Sequence, residues 1–524
     1  MFRTQALAVL LLAAPVFLRA EAPPAWVQQE GQVPAAYPPS RYLTGYGLSS
    51  PGGTEAEQRR QAVAMAREAV AAAIRTRVTA EFTSQVTQVD QQMSRFVQNL
   101  VRTRADLDLE GLDTFLAWRD EAKGVTHVLA VLDKPRTLQI LGGRLEHEAA
   151  ACGQAFEAAR RTGDAAGLLQ ARHLREGVEE ALVVASVLSG GTVQPPACPS
   201  LPEIDGELRK AYAGMKGLDG PLALAALDLG QSLPRGLRVL MDRVTYADTP
   251  FCGTFSAYLE QSLPAQLTAL GQVQLLDKAA GRGALQAAGL DGSLAESLKA
   301  QAVLRGTCFE LDGAVKLNLR ATSTTGEDLA AASLTFPSSL LQQAGLKLAP
   351  DNLQEARQAL AIANAQVQAS SLKVKVALDR GDGGIYRKGD KLYLFLKANL
   401  DCYVKVLYQQ VDGSKLLIFP NKYHPDARIR KNQLYQIPPD DNSFEWVVQA
   451  PFGAEMVKVM ASTEPVEVPG SAPDANGLRQ VTEALGDLLA RTRGIGLRKA
   501  DAQYAEDTAV VNTLPAEAGK GQDS

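Results

Sequence analysis

Residues 371–422 read SLKVKVALDRGDGGIYRKGDKLYLFLKANLDCYVKVLYQQVDGSKLLIFPNK, and a second apolar run, APFGAEMVKVMAS, occupies 450–462. Lys373, Lys375 and Ala377 alternate with Val374, Val376 and Leu378. Leu392, Leu394 and Leu396 alternate with Tyr393, Phe395 and Lys397. Cys402, Val404 and Val406 alternate with Tyr403, Lys405 and Leu407. A period of two, rich in β-branched and aromatic residues, predicts half-buried strands. Asp382-Gly383-Gly384, Lys388-Gly389-Asp390 and Asp412-Gly413-Ser414 punctuate them as turns. Residues 371–463 are therefore expected to form a small antiparallel β-sandwich.

Working outward, 524 residues predict three or four domains, each able to bury its own core. The fold class expected is multidomain α+β: an N-terminal αβ domain (23–136), a helical hairpin and linker (137–199), a mixed αβ domain (200–345), a linker helix (346–370), the β-sandwich (371–463), and a Pro-rich linker, amphipathic helix and mobile tail (464–524). A net charge of −4 argues against a dedicated nucleic-acid binder, which would carry a basic face. The first 22 residues read as a signal peptide: Arg3, an apolar run from Ala6 to Leu18, then Ala20-Glu21-Ala22. Cleavage after Ala20 or Ala22 stays open, since Pro23 hinders the second. No later run reaches the 18 or so apolar residues of a membrane helix, so an exported protein without an integral span is expected, in periplasm or medium.

Five cysteines leave at least one unpaired. Export permits disulfides, and Cys152–Cys198 and Cys252–Cys308 are the expected pairs, with Cys402 a buried thiol. All-reduced thiols are the alternative.

In the N-terminal part, Trp26 lies in an extended lead-in, and Tyr42-Leu43-Thr44-Gly45-Tyr46-Gly47 reads as a short strand ending at glycines. Thr54 and Glu57 form a capping box before a helix carrying Val63, Ala66, Val70 and Ile74 at helical spacing and running to about Phe82. A charged helix or coil is expected to Arg104, then strands over Leu107–Arg119 and Val125–Leu132. Gly45, Gly47 and Gly52-Gly53 do not space as a dinucleotide loop, so a structural turn is preferred. Residues 134–189 read as two helices about Thr162-Gly163-Asp164. From 200 to 345, strands over Leu237–Asp242, Val273–Leu276, Ala302–Phe309, Ala314–Thr322 and Leu329–Phe336, with one helix from Phe255, predict an open mixed sheet with helices on one side.

Three resemblances accompany these patterns. Tyr386-Arg387-Lys388-Gly389-Asp390, Tyr403 to Tyr408, Asp412-Gly413, Phe419-Pro420-Asn421 and Pro451-x-Gly453 resemble a bacterial domain of unknown function, often found after Ser/Thr kinase or caspase-like domains or in secreted proteins. It supplies no catalytic residues to carry over. The order of Trp26, YLTGYG, an Ala-rich helix and VLAVLDK over 26–136 resembles bacterial outer-envelope lipoproteins that share a domain with a flagellar assembly protein. Their acylated Cys is missing here. The run QVQLLDK and AVLRGTCFELDGAVKLNLRATSTTGEDLAAAS are similar to the αβ domain of the curli-secretion lipoprotein and of penicillin-binding-protein activators. These resemblances imply partner binding in the envelope.

Chemistry is sparsely signalled. Four His occur, His127, His147, His173 and His424, none in zinc-binding spacing. Neither G-x-S-x-G nor a phosphate loop is present. No catalytic residue, metal ligand or cofactor is nominated. His424 with Asp426, Asp440 and Asp441 could gather around a cation, although solvated loop charge is preferred. Asp379-Arg380-Gly381-Asp382-Gly383 is read as a tight turn rather than a calcium loop. Tyrosines concentrate in the β-domain, and Tyr423, Tyr435 and His424 are the candidate binding residues. The expected function is an exported, non-enzymatic envelope adaptor or scaffold with envelope proteins as partners, near a secretion, motility or cell-wall machine. The alternatives are a ligand-sensing module using the β-domain and a metal-dependent hydrolase of envelope polymer. The oligomeric state stays open.

Overall fold

The computed structural model describes residues 23–28, 35–85, 112, 114–191, 193–271, 273–290, 293–365, 370–441, 444–465, 467–468, 470, 473, 478–493 and 502–516. The expected leader, the charged segment before Arg104 and the start of the strand at Leu107 lie outside them. Two compact units divide the chain. The first takes the described residues within Met1–Val101, Asp106–Ala150 and Glu176–Ala197, the second the remainder.

In the first unit, β1 (Tyr42–Leu48), β2 (Thr114–Asp120) and β3 (Val125–Asp133) form an antiparallel sheet in the order β1-β3-β2. The Glu55–Gln85 helix is started by the expected capping box: Glu57 N donates to Thr54 Oγ1 at 3.3 Å, and Thr54 N donates to Glu57 Oε2 at 2.8 Å. Gly45 and Gly47 lie inside β1 rather than at a turn. A Cβ at Gly45 would sit 2.3 Å from Ala66 O, and one at Gly47 2.1 Å from Ala62 O. The glycines thus let the strand press against the helix backbone. The sheet's other face is closed by Trp26, packed with Leu129 and Val131 and edge-on to Tyr46 at 6.5 Å. Trp26 stands in a short helix, Ala25–Gln28, rather than an extended lead-in. The helices Lys134–Thr162 and Ala165–Ser189 follow as a hairpin whose turn end, Ala151–Arg175, belongs to the second unit, with Gly163 at φ 69° making the turn.

The second unit holds the middle sheet and the β-sandwich. Helices Leu201–Ala213 and Asp219–Ser232, which the sequence reading passes over, precede β4 (Leu237–Tyr246). Helix Thr254–Ala269, with Pro264 inside it, β5 (Val273–Leu276), helix Gly281–Ala288, β6 (Ala302–Leu311), β7 (Ala314–Ser323) and β8 (Asp328–Pro337) follow. The sheet order is β5-β4-β6-β7-β8, parallel at β4/β5 and β4/β6 and antiparallel beyond, an open mixed sheet as expected. One face, with Val239, Leu304, Leu317 and Phe336, is buried beneath Leu208, Leu222, Leu259 and Leu263 of the helices.

The sandwich has a three-stranded and a seven-stranded sheet. Its strands are β9 (Val374–Leu378), β10 (Gly384–Arg387), β11 (Leu394–Ala398), β12 (Cys402–Gln409), β13 (Lys415–Phe419), β14 (Arg428–Ile429), β15 (Tyr435–Ile437), β16 (Ala454–Ser462), β17 (Arg479–Val481) and β18 (Tyr504–Leu514). The small sheet runs β15-β11-β9; the large one runs β10-β18-β16-β12-β13-β17, with β14 on β12. Leu394 and Leu396 from the first and Val404, Val406, Val457 and Val459 from the second meet in one core. Phe395, on the other face of β11, is covered by Leu285 and Leu290 of the middle domain.

Two expectations fail in the C-terminal part. The final segment, read as polar and mobile, contains β18, which pairs antiparallel with β16 along nine residues and parallel with β10. The domain therefore continues past 463 to Leu514, and the β10/β18 pair departs from an all-antiparallel sandwich. Polarity misled the reading because Glu506 pairs with Lys458 Nζ at 2.6 Å with both side chains buried. Likewise, the amphipathic stretch from Leu478 begins as β17, and its helix is Leu485–Arg493. Leu485, Leu488 and Leu489 join Ala359 and Ala363 of the Leu353–Ala363 helix over Leu407, Leu417, Met456 and Met460. What reads as a linker helix is thus part of the sheet's cover.

Asn512 of β18 is fully buried. Its Oδ1 accepts from Cys252 N at 2.9 Å, and its Nδ2 donates to Gly383 O at 2.8 Å and to Pro250 O at 3.3 Å. Asn512→Ala would strand the Cys252 N–H and two carbonyls, which should cost about 2–4 kcal/mol. Urea unfolding of the full chain measures this; a loss below about 1 kcal/mol would mean that the amide does not tie the middle domain to the sandwich.

Candidate functional site

Among the described residues, the loop after β13 presents the most exposed aromatic ring. Asn421 shapes it: its Oδ1 accepts from Tyr423 N at 3.0 Å and His424 N at 2.9 Å, while Nδ2 donates to Ile418 O at 2.9 Å. This Asx turn turns the Tyr423 ring outward. Tyr423 is 50% exposed, stacks on Phe444 at 5.6 Å and 14°, and has Lys422 Nζ 4.8 Å from its centroid. Phe444 in turn meets Trp446 edge-on at 5.8 Å, and both pack against the sandwich core. The result is a ledge of three rings, rooted in the core, whose outermost ring is preorganised. Such a ledge can take an apolar side chain or a sugar face and a hydrogen bond to the phenol.

The other two candidate residues go elsewhere. Tyr435 Oη accepts from Arg430 N at 2.9 Å and donates to Gln433 Oε1 at 3.3 Å, so it braces its own loop. His424 lies edge-on to Phe419 at 5.0 Å. The carboxylates considered with it are committed apart: Asp426 Oδ1 accepts from Arg428 N at 2.8 Å, and Asp440 takes Arg282 and, at 3.0 Å, Gln286 Nε2. Among the described residues, no group of three or more His, Cys, Asp or Glu could hold a metal ion. In the 379–383 turn, Gly381 has φ 81°, Arg380 reaches Asp390 at 2.6 Å, and Asp382 Oδ1 accepts from Val510 N at 2.7 Å, an arrangement that is a tight turn.

All five cysteines are free thiols, so neither expected bridge is present. The pairs are nevertheless neighbours. Cys152 lies beside Cys198, and Arg175 Nη1 stands 3.4 Å from Cys198 Sγ. Cys252 Sγ donates to Val244 O and Cys308 Sγ to Thr245 O, each at 3.6 Å. Burial pushes the Cys252 and Cys308 thiols up to about 12 and those of Cys152 and Cys402 to about 11, which makes all four poor nucleophiles.

A second polar group lies inside the sandwich and escapes sequence reasoning. Tyr408 Oη donates to Glu455 Oε2 at 2.7 Å, and Tyr386 Oη donates to Asp379 Oδ1 at 2.7 Å. Burial raises the Asp379 carboxyl and drives Glu455 to about 7, against the hydrogen bonds from Tyr408 and Thr513 that favour the charge. The signal available was a lone Glu in the apolar run 454–457, on a strand buried along its whole length.

Residues 385–465 match the family model of a domain of unknown function, DUF4384, as the resemblance over 371–463 predicts. No curated protein matches the chain. Among solved structures, the chain is similar to the LpoB C-terminal domains of Salmonella enterica and Escherichia coli, each at 18% identity and TM-score 0.19. These alignments cover 23% and 22% of this chain and 97% and 96% of those domains. It is also similar to the secreted protein HP1454 of Helicobacter pylori, at 9% identity and TM-score 0.22, over 58% of this chain and 90% of that one. No helix of the described residues is long and apolar enough to cross a membrane.

Glu455 makes the sandwich pH-dependent in a defined direction. Its folded pKa of about 7 lies above the ordinary carboxyl value, so the native state holds a proton that the unfolded chain has lost. Its contribution is intact below about pH 4 and is lost as pH rises from there to about 7, by roughly 3 kcal/mol across the window. Glu455→Gln should flatten the stability profile between about pH 5 and 7, read by urea midpoints. An unchanged slope would place the titration elsewhere.

Proposed function

We propose that the protein is an exported, non-enzymatic adaptor of the bacterial envelope that recruits a protein partner through its β-sandwich. The observation that carries the reading is the Tyr423–Phe444–Trp446 ledge: a half-exposed ring held flat by stacking and by the Asn421 turn, on a rigid two-sheet scaffold. Rigid aromatic anchors on structured loops lose little entropy on binding, and for that reason recur at the centres of protein interfaces. The leader-like N-terminus and the resemblances of residues 26–136 and 200–345 to envelope domains support the compartment. The high thiol pKa values and the dispersed carboxylates favour binding over catalysis.

Pull-down from crosslinked envelope, with the tagged mature protein as bait and mass spectrometry as readout, tests this reading. A reproducible set of secretion, motility or cell-wall proteins is expected. Tyr423→Ala, at unchanged stability, should reduce recovery at least about tenfold, as loss of an aromatic hot spot does. Equal recovery by the variant would remove the ledge from the interface, and an empty pull-down from a folded, abundant bait would overturn the adaptor reading.

A further inference from the structure

The face of the middle sheet opposite its main helices carries, beside the part covered by Leu294 and Ala295, a groove of about 1010 Å³. Its floor is polar and small: Thr307 on β6, Asn318 on β7, and Ala331 and Ser333 on β8. Two arginines stand in it, and their placement is unusual. Arg305 of β6 and Arg320 of β7 are direct cross-strand partners on this face. Like charges directly opposite destabilise a sheet, yet both side chains are more than 60% exposed at 63% and 66% and have solvent to turn into.

The groove wall is irregular at the same place. The register of β4 against β6 shifts between Met241 and Val244, so Asp242 and Arg243 bulge opposite Arg305. Bulges re-aim side chains and recur beside binding sites. Arg243 thereby lines the groove as a third guanidinium. A few residues on, Ala247 holds φ 48°, a left-handed conformation rare for a residue with a Cβ, and its N–H donates to Cys308 O at 2.8 Å. The wall is thus pinned to the sheet rather than loose.

The acidic neighbours leave most of the guanidinium donors available. Asp242 takes Arg305 through Nε at 2.9 Å and lies 3.6 Å from Arg243 Nη1. Asp328 takes Arg320 through Nη2 at 2.9 Å. Asp248, 96% exposed at the groove's rim, lies 3.9 Å from Arg357. Exposed ion pairs of this kind contribute little and exchange readily for a better-matched anion. The remaining nitrogens of Arg305 and Arg320 belong to cross-strand partners, and guanidinium donors paired in this way can receive one carboxylate between them.

We propose that this groove binds an extended acidic peptide segment, with one carboxylate held between Arg305 and Arg320 and its main chain laid over Thr307, Asn318 and Ser333. The small side chains at Ala331 and Ser333 let a peptide backbone approach the floor, and a groove of about 1010 Å³ is too large for a single small anion to fill. The proposal deepens the adaptor reading by naming a second surface and the charge of its partner, and it rests on that reading only in taking the ligand to be protein.

The test is calorimetric titration of the full-length mature protein with hexaglutamate at low salt, beside the R305Q and R320Q variants. Wild type is expected to bind, and each variant to bind at least about tenfold more weakly, as the loss of a charge-assisted contact requires. Thermal stability of R320Q should equal or exceed wild type, because the opposed charges are separated. A merely structural arginine pair would instead lower the melting temperature and leave titration unchanged. No hexaglutamate binding, or equal binding by the variants, overturns the proposal. Tightening by inorganic tripolyphosphate with no hexaglutamate binding would replace the peptide by a phosphate ligand and overturn it as well. Hexaglutamate binding alongside an empty envelope pull-down would sink the adaptor reading alone.

Discussion

The amide of Asn512 is the interaction on which the second unit turns. A buried side-chain amide offers one acceptor face and two donors, and all are used: on the Cys252 N–H, on Pro250 O and on Gly383 O. The first two belong to the loop that follows β4, the third to the turn that begins β10. Around this polar knot lie two apolar contacts, Phe251 with Ala454 and Val510, and Cys252 and Ala257 with Ile385 and Leu514. The hydrogen bonds fix the register of the two domains, and the apolar contacts supply most of the attraction. The middle sheet and the sandwich consequently lie in one compact unit, although their sequences read as separate domains.

Local period and turn chemistry made most strands legible. β5 is found at its expected bounds and β4, β6, β7 and β8 within a few residues, the last three marked by the Asp312-Gly313 and Thr325-Gly326 turns between them. The capping box at Thr54 and the hairpin turn at Gly163 are read for the same reason: their geometry is set within four residues. β18 is illegible because its identity is set from far away. Glu506 and Asp507 look solvated, but Lys458 neutralises the first, and the second accepts from Val376 N at 2.8 Å. Lys458 itself donates to Ala363 O and Thr508 Oγ1. No window along the chain contains both halves of such a network.

The same distinction separates the candidate residues. Tyr423 is exposed on its loop, whereas Tyr435 is consumed by its own loop and His424 by Phe419. The ring that completes the ledge, Phe444, comes from a segment with no strand pattern, and only folding brings it under Tyr423. The Arg305–Arg320 opposition is also invisible in one dimension, since it depends on the strands' register rather than on either strand. The Glu455 carboxyl belongs to a third category: its position in an apolar run was legible, and its partner Tyr408, on the neighbouring strand, was not.

The place of β18 in the sheet bears on how the molecule is made. Between β10 and β16 there is a gap that only residues 504–514 fill, and every other strand of the sandwich is synthesised first. Until then the β16 edge presents unpaired amides and carbonyls along nine residues. A nascent chain cannot close this body, because the element that locks it emerges from the ribosome after all its neighbours. The sheet therefore closes late, after the rest of the sandwich has been made. The cost is a window in which an open edge is exposed to other chains, so newly made molecules, rather than mature ones, are where a holding chaperone would act.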